Sequence, residues 1–152
     1  MFTKEEKTEK ICSFYASDYH LEMIMIPYIN RKIDEKANVV IITEKSLKET
    51  VQTVISRVNL SENRKKEILN INWENNVIKN VKKTKTNQEL IVFVIGSFNY
   101  IEKTNQEIIE KNKANKTKII NCYSLEDAQT RMKDIVMKHS KVLNTIEEKE
   151  IG

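Results

Sequence analysis

Apolar residues in this chain come in short bursts set between long polar stretches. The two densest bursts are Val39–Ile42 and Leu90–Ile95. Each is too short for a helix and reads as a strand. Leu90–Ile95 is apolar at every position, with no alternation, which predicts a strand covered on both faces. The first of these bursts makes a second strand over Asn38–Thr43, and weaker bursts add a first over Lys10–Tyr15, a short third at Asn70–Trp73 and a fifth over Lys118–Cys122. Trp73 is expected to pack within the third.

Between these bursts the apolar spacing turns helical. Asp18 is expected to cap a helix running to about Lys36, kinked or restarted at Pro27. The stretch "SLKE" at Ser46–Glu49 is a capping-box pattern. The helix it opens sets Leu47, Val51, Val54, Ile55 and Val58 on one face. Ser61 reads as a second cap. A polar helix from Asn75 to about Lys83 would turn Val77, Ile78 and Val81 inward. After a loop "GSFNY", Ile101, Ile108 and Ile109 stripe another helix. Ser124 with Asp127 caps a last helix to about Leu143, burying Leu125, Ala128, Met132, Ile135, Val136 and His139.

Strand followed by helix about five times predicts an α/β fold. The expectation is a single three-layer domain over residues 1–152, with a mainly parallel sheet of about five strands flanked by helices. Residues 1–8 and 144–152 read as flexible ends.

Composition narrows this frame. Two glycines and one proline in 152 residues disfavour an all-β fold with many tight turns. They also exclude a glycine-rich phosphate or dinucleotide loop. The 26 basic and 22 acidic residues are interleaved, as on solvated helix faces, and lack the basic clustering of a nucleic-acid protein. The densest basic run, Asn80–Thr86, is short. Nucleic acid is therefore not an expected partner. Cys12 and Cys122 lie in strand-like runs and read as reduced, buried thiols of a cytoplasmic protein. The start has no apolar region of a signal peptide, and no apolar run reaches the roughly 18 residues of a membrane span. No membrane association is expected.

In parallel sheets, ligands bind outside the C-terminal ends of the strands. That rule selects four loops: Tyr15–His20, Thr43–Ser46, Gly96–Tyr100 and Cys122–Asp127. The candidate ligand-binding residues are Tyr15, Ser17, Asp18 and His20 from the first, Ser97 and Asn99 from the third and Tyr123 from the fourth. A helix N-terminus attracts anions, yet the first loop lacks glycine and lysine, and Asp18 at the cap would repel phosphate. Asp18 also reads simply as a cap. His20 and Glu22 stand two apart, which a regular helix cannot bring to one metal. The central strand ends in Ile95-Gly96-Ser97 with no acidic residue to hold magnesium. Ser97 is not in a G-x-S-x-G elbow. No catalytic group, metal or cofactor is expected. Leu21, Met23, Ile24, Met25 and Ile26 make the first helix apolar nearly all round, which suits a core helix or a dimer face.

The segments Ile11-Cys12, Phe14-Tyr15, Pro27-Tyr28-Ile29 and Val39–Ile42 together resemble the opening of the MEDS sensory domains. The likeness covers roughly the first 45 residues, and beyond them only the α/β pattern. Two positions depart from the family: Lys10 stands where a histidine is characteristic, and "DEKAN" lacks the usual glycine after the first helix. The resemblance implies a RecA-like fold without a P-loop. It also implies a non-catalytic sensory or regulatory domain acting in signalling or transcriptional control, through a small-molecule ligand or a protein partner. With no room for a second module, the expectation is a stand-alone sensor or adaptor that acts through a partner. Two alternatives stay open: a protein-interaction module working as a homo-oligomer, and a small-molecule enzyme of unknown reaction.

Overall fold

The computed structural model describes residues 8–74, 88–111, 116–145 and 148–150. In chain order the elements are β1 (Thr8–Tyr15), α1 (Asp18–Asp34), β2 (Asn38–Thr43), α2 (Lys48–Arg57), α3 (Glu62–Leu69), β3 (Leu90–Ile95), α4 (Phe98–Lys111), β4 (Thr117–Ser124), α5 (Leu125–Ala128), α6 (Met132–Met137), β5 (Lys141–Leu143) and β6 (Glu148–Glu150). They build one sheet in the order β2-β3-β4-β1-β5-β6. The first five strands of that order run parallel, and β6 pairs antiparallel with β5. The protein is a single α/β domain of three layers.

Alternation along the strands divides the core in two. Ile11 and Tyr15 of β1, with Ile91, Phe93 and Ile95 of β3, pack against α1, α2 and α3. Cys12 of β1, with Leu90, Val92 and Val94 of β3, packs against α4, α5 and α6. All six residues of β3 are buried, as its unbroken apolar run requires. Cys12 and Cys122 sit on neighbouring strands but face opposite layers, and both are free thiols.

Helix α1 runs unbroken from Asp18 to Asp34 through Pro27, neither restarted nor ended there. Pro27 is exposed, so the missing backbone donor falls on the solvent side. Of its apolar stripe, Leu21, Ile24, Met25 and Ile26 are buried, as a core helix requires, and so are Tyr28 and Ile29, while Met23 is 46% exposed. At its C-terminal end, Lys36 N–H donates to the Ile33 carbonyl at 3.0 Å and Ala37 N–H to the Lys32 carbonyl at 3.0 Å. This is a Schellman turn, and Lys36 holds its left-handed position with φ 64°.

Several expected elements fall differently. Asn70–Trp73 is not a strand. Trp73 is buried; its indole N–H donates to the Ile68 carbonyl at 2.8 Å, and its own carbonyl accepts from Leu47 N–H at 2.8 Å. The fifth parallel strand is instead β5, inside the stretch expected to be helical to Leu143. The last helix breaks into α5 and α6, and His139 lies beyond α6. Residues 148–150 pair with β5, so the end after 144 is not wholly frayed. The "SLKE" box does not form: α2 starts at Lys48 with Leu47 at its cap and no side-chain cap bond. Ser61 and Ser124 do cap, accepting from Arg64 N–H and Asp127 N–H at 3.1 Å each. The expected helix over 75–83 and the basic run at 80–86 lie outside the described residues. No helix among the described residues is long and apolar enough to cross a membrane.

Candidate functional site

The helices that follow β1 and β4 lie on opposite faces of the sheet, although the two strands are neighbours. That is the switch point where doubly wound sheets open a crevice beyond the strand ends. The loop after β1 is at this place, with Tyr15 level with Ser124 across the ladder.

The loop satisfies most of its own polar groups. Ser17, not Asp18, caps α1: its hydroxyl accepts from His20 N–H at 3.1 Å. His20 Nδ1 accepts from Ala16 N–H at 2.9 Å, so the neutral ring carries its proton on Nε2. Asp18 pairs with Lys45 Nζ at 2.7 Å, tying the loop after β2 to the start of α1. Tyr15 is buried on the α1 side. Burial first, then neighbouring Cys122, Asp18 and Asp127, pushes its hydroxyl pKa up.

The second tie runs between the loops after β2 and β3. Glu44 Oε1 accepts the Ser97 N–H at 2.9 Å. Ser97 is itself the start of α4, where its hydroxyl accepts from Tyr100 N–H at 3.3 Å and its carbonyl from Ile101 N–H at 2.9 Å. The loop expected over Gly96–Tyr100 is thus only Gly96 and Ser97; Asn99 lies exposed in the first turn of α4. Gly96 is required by crowding: a Cβ there would stand 2.6 Å from the Tyr100 ring and 2.9 Å from Glu44 Oε1.

Beneath these ties lies Glu22, fully buried, with neither carboxylate oxygen hydrogen-bonded. Burial pushes its pKa up to about 7; Asp18 raises it further, while neighbouring Thr50 and Lys45 oppose the rise. Thr50 gives its own hydroxyl proton to the Leu47 carbonyl at 3.2 Å. Glu22 and His20 point apart, and no group of three metal-ligating side chains forms among the described residues.

Tyr123 is separated from the first loop. It faces the other layer, in a cavity of about 230 Å³ between α4 and α6. Its ring meets Phe14 at 6.0 Å, Phe98 at 6.3 Å and His139 edge-on at 6.1 Å between centroids. Asn105, in the wall of the cavity, and Asn121 exchange amide hydrogen bonds at 2.8 Å each way. Asn105 Nδ2 also donates to the Ile101 carbonyl, and Asn121 Nδ2 to His139 Nε2 at 3.0 Å. His139 Nδ1–H completes the chain on the Ile135 carbonyl. Lys10, Glu102 and Lys138 line the same cavity.

Of the seven predicted residues, four share the first loop and two open α4, with Glu44 and Lys45 linking the groups. Those two connectors were placed in a selected loop but not singled out. Phe98 likewise falls in a selected loop, whereas Lys10, Asn105, Asn121 and Lys138 lie outside all four. Asn105 and Asn121, polar residues inside an apolar stripe and an apolar strand, were the available signal. No family model matches the chain, and no curated protein or solved structure is found similar to it.

Proposed function

We propose that this chain is a sensory or regulatory domain of the MEDS-like, RecA-related kind, which binds a small ligand or a protein partner over its strand ends without transforming it. The observation that carries this reading is the N-terminus of α4. The Ser97 amide, a natural phosphate donor, is held by the chain's own Glu44 carboxylate at 2.9 Å. Asp127 near Tyr15 adds negative charge at the switch point, and Asp18 there holds the Lys45 ammonium, which together disfavour a polyphosphate. A first strand inside the sheet, with its loop at the switch point, suits the RecA-related reading. The two thiols suit a reducing, cytoplasmic setting: they face opposite layers, and burial pushes Cys12 up to about 11.

A thermal-shift screen against nucleotides, cyclic dinucleotides and common metabolites tests it. A hit weakened by His20→Ala or Asn99→Ala, with little change in Tm, supports the reading; turnover of the bound compound refutes it. A second reading, assembly into a homo-oligomer, is favoured by an apolar groove of about 320 Å³ lined by Met23, Ile26, Pro27, Val58 and Leu60. Light scattering decides it: a concentration-independent monomer excludes it.

A further inference from the structure

The cavity between α4 and α6 differs from the strand-end loops in one respect: several of its polar groups are left over. Lys10 projects into it from β1. Among the described residues no carboxylate lies within ion-pair distance of Lys10. The one acid lining the cavity, Glu102, is engaged by Lys138 at 3.4 Å. Two ammonium groups against one carboxylate leave one positive charge unmatched. Burial and the facing Lys138 both press the Lys10 pKa down, and Glu102 only partly offsets them. An anion would relieve that strain.

The Tyr123 hydroxyl makes no hydrogen bond among the described residues; it is not one of the fully enclosed unsatisfied atoms, so its oxygen opens onto the cavity. By contrast, Asn105 and Asn121 use both their amide hydrogens and their oxygens inside the protein, and His139 uses both ring nitrogens. The free polar groups are therefore the Lys10 ammonium, the Tyr123 hydroxyl and, at the exposed rim, the Gln106 amide. Phe98 supplies an aromatic wall, with the Arg131 guanidinium 4.6 Å from its ring centroid. A volume of about 230 Å³ equals roughly eight waters at about 30 Å³ each, the size of one substituted ring.

We propose that this cavity binds a small planar organic anion, a carboxylate carried on a single aromatic ring system. Lys10 and the Tyr123 hydroxyl take the carboxylate, and Phe98 and Tyr123 flank the ring. Lys138 adds long-range attraction while still bridged to Glu102. The proposal names the ligand class for the regulatory reading and rests on it only in that the ligand leaves unchanged.

Benzoate, nicotinate and indole-3-carboxylate, each beside its neutral amide, are titrated into the full chain, followed by calorimetry and amide chemical shifts. At least one carboxylate is expected to bind at millimolar concentration or tighter. Its shifts should centre on Lys10, Phe98 and Tyr123, and its amide should bind about tenfold more weakly, as the loss of one charge-assisted bond implies. Lys10→Met should weaken the carboxylate about tenfold, Tyr123→Phe severalfold, and Lys10→Arg little; the last keeps the test open if Lys10→Met folds poorly. No carboxylate binding, equal binding of the amide, or unchanged binding by Lys10→Met overturns the site. Chemical conversion of a carboxylate bound there would overturn the regulatory reading and leave the site standing. Intact carboxylate bound with shifts elsewhere would do the reverse.

Discussion

The Glu44 carboxylate accepts the Ser97 amide hydrogen at 2.9 Å, across the ends of β2 and β3. Only a glycine at position 96 leaves room for it, because a Cβ there would press on both Glu44 and the Tyr100 ring. Gly96→Ala is therefore expected to destabilise the fold by about 1–3 kcal/mol, the usual cost of forcing atoms into a filled space. Urea denaturation measures it. A neutral Gly96→Ala would mean that Glu44 and Tyr100 move aside freely and that the tie is weak.

Asn105 and Asn121 form a closed pair with every amide hydrogen placed. Removing one partner strands the other in the core. Asn105→Leu or Asn121→Leu alone should cost about 2–3 kcal/mol, since an unsatisfied buried amide loses its full solvation. The double variant should cost less than the sum by about 1–2 kcal/mol. Additive losses in this cycle would show the two amides to act independently.

How legible this was in the sequence depended on how local each cause is. Leu90–Ile95 announced a buried central strand because its neighbours on both sides could be read from its own composition. Lys141–Leu143 could not be read so: three residues carry no period, and what makes them a strand is distant. Ser13 Oγ donates to the Leu143 carbonyl at 2.8 Å, and Ser140 N–H to the Lys10 carbonyl at 2.8 Å. Asn70–Trp73 failed the opposite way, having strand-like composition but no strand beside it. Cap residues were found within one position, as with Ser17 for Asp18, because both can accept the same amide. The strand-end loops followed from topology alone. The cavity between α4 and α6 did not, because it joins Lys10, Phe98, Tyr123 and Lys138 across more than 120 positions.

Lys36 is a non-glycine residue in the left-handed region, φ 64°, closing α1. The strain there is intrinsic to any Cβ. Lys36→Gly should raise stability by about 1 kcal/mol, the gain from relieving it less the added freedom of glycine in the unfolded chain. Thermal unfolding measures it as a higher Tm. A lower Tm would mean that the lysine stem makes contacts worth more than the strain.

Glu22 and His139 set opposite pH slopes. The Glu22 pKa is raised from 4.5 to about 7 in the fold, mainly by burial. Its contribution to stability is fully present below pH 4.5 and is lost as pH rises through 7. The His139 pKa is lowered from 6.5 to about 4, by burial and then by Lys10 and Lys138 against the Ile135 carbonyl. Its contribution is present above pH 6.5 and is lost as pH falls through 4. Between about pH 4.5 and 6.5 the two nearly cancel, so the wild-type stability curve should be flat there and fall above it. Glu22→Gln removes one slope. Its stability relative to wild type should grow by on the order of 2–3 kcal/mol from pH 4 to 8, and its own curve should drop on acidification below 6.5. Urea denaturation across that range reads both effects. Parallel curves for the two proteins would show that Glu22 titrates alike in the folded and unfolded chain, and that its carboxylate reaches water.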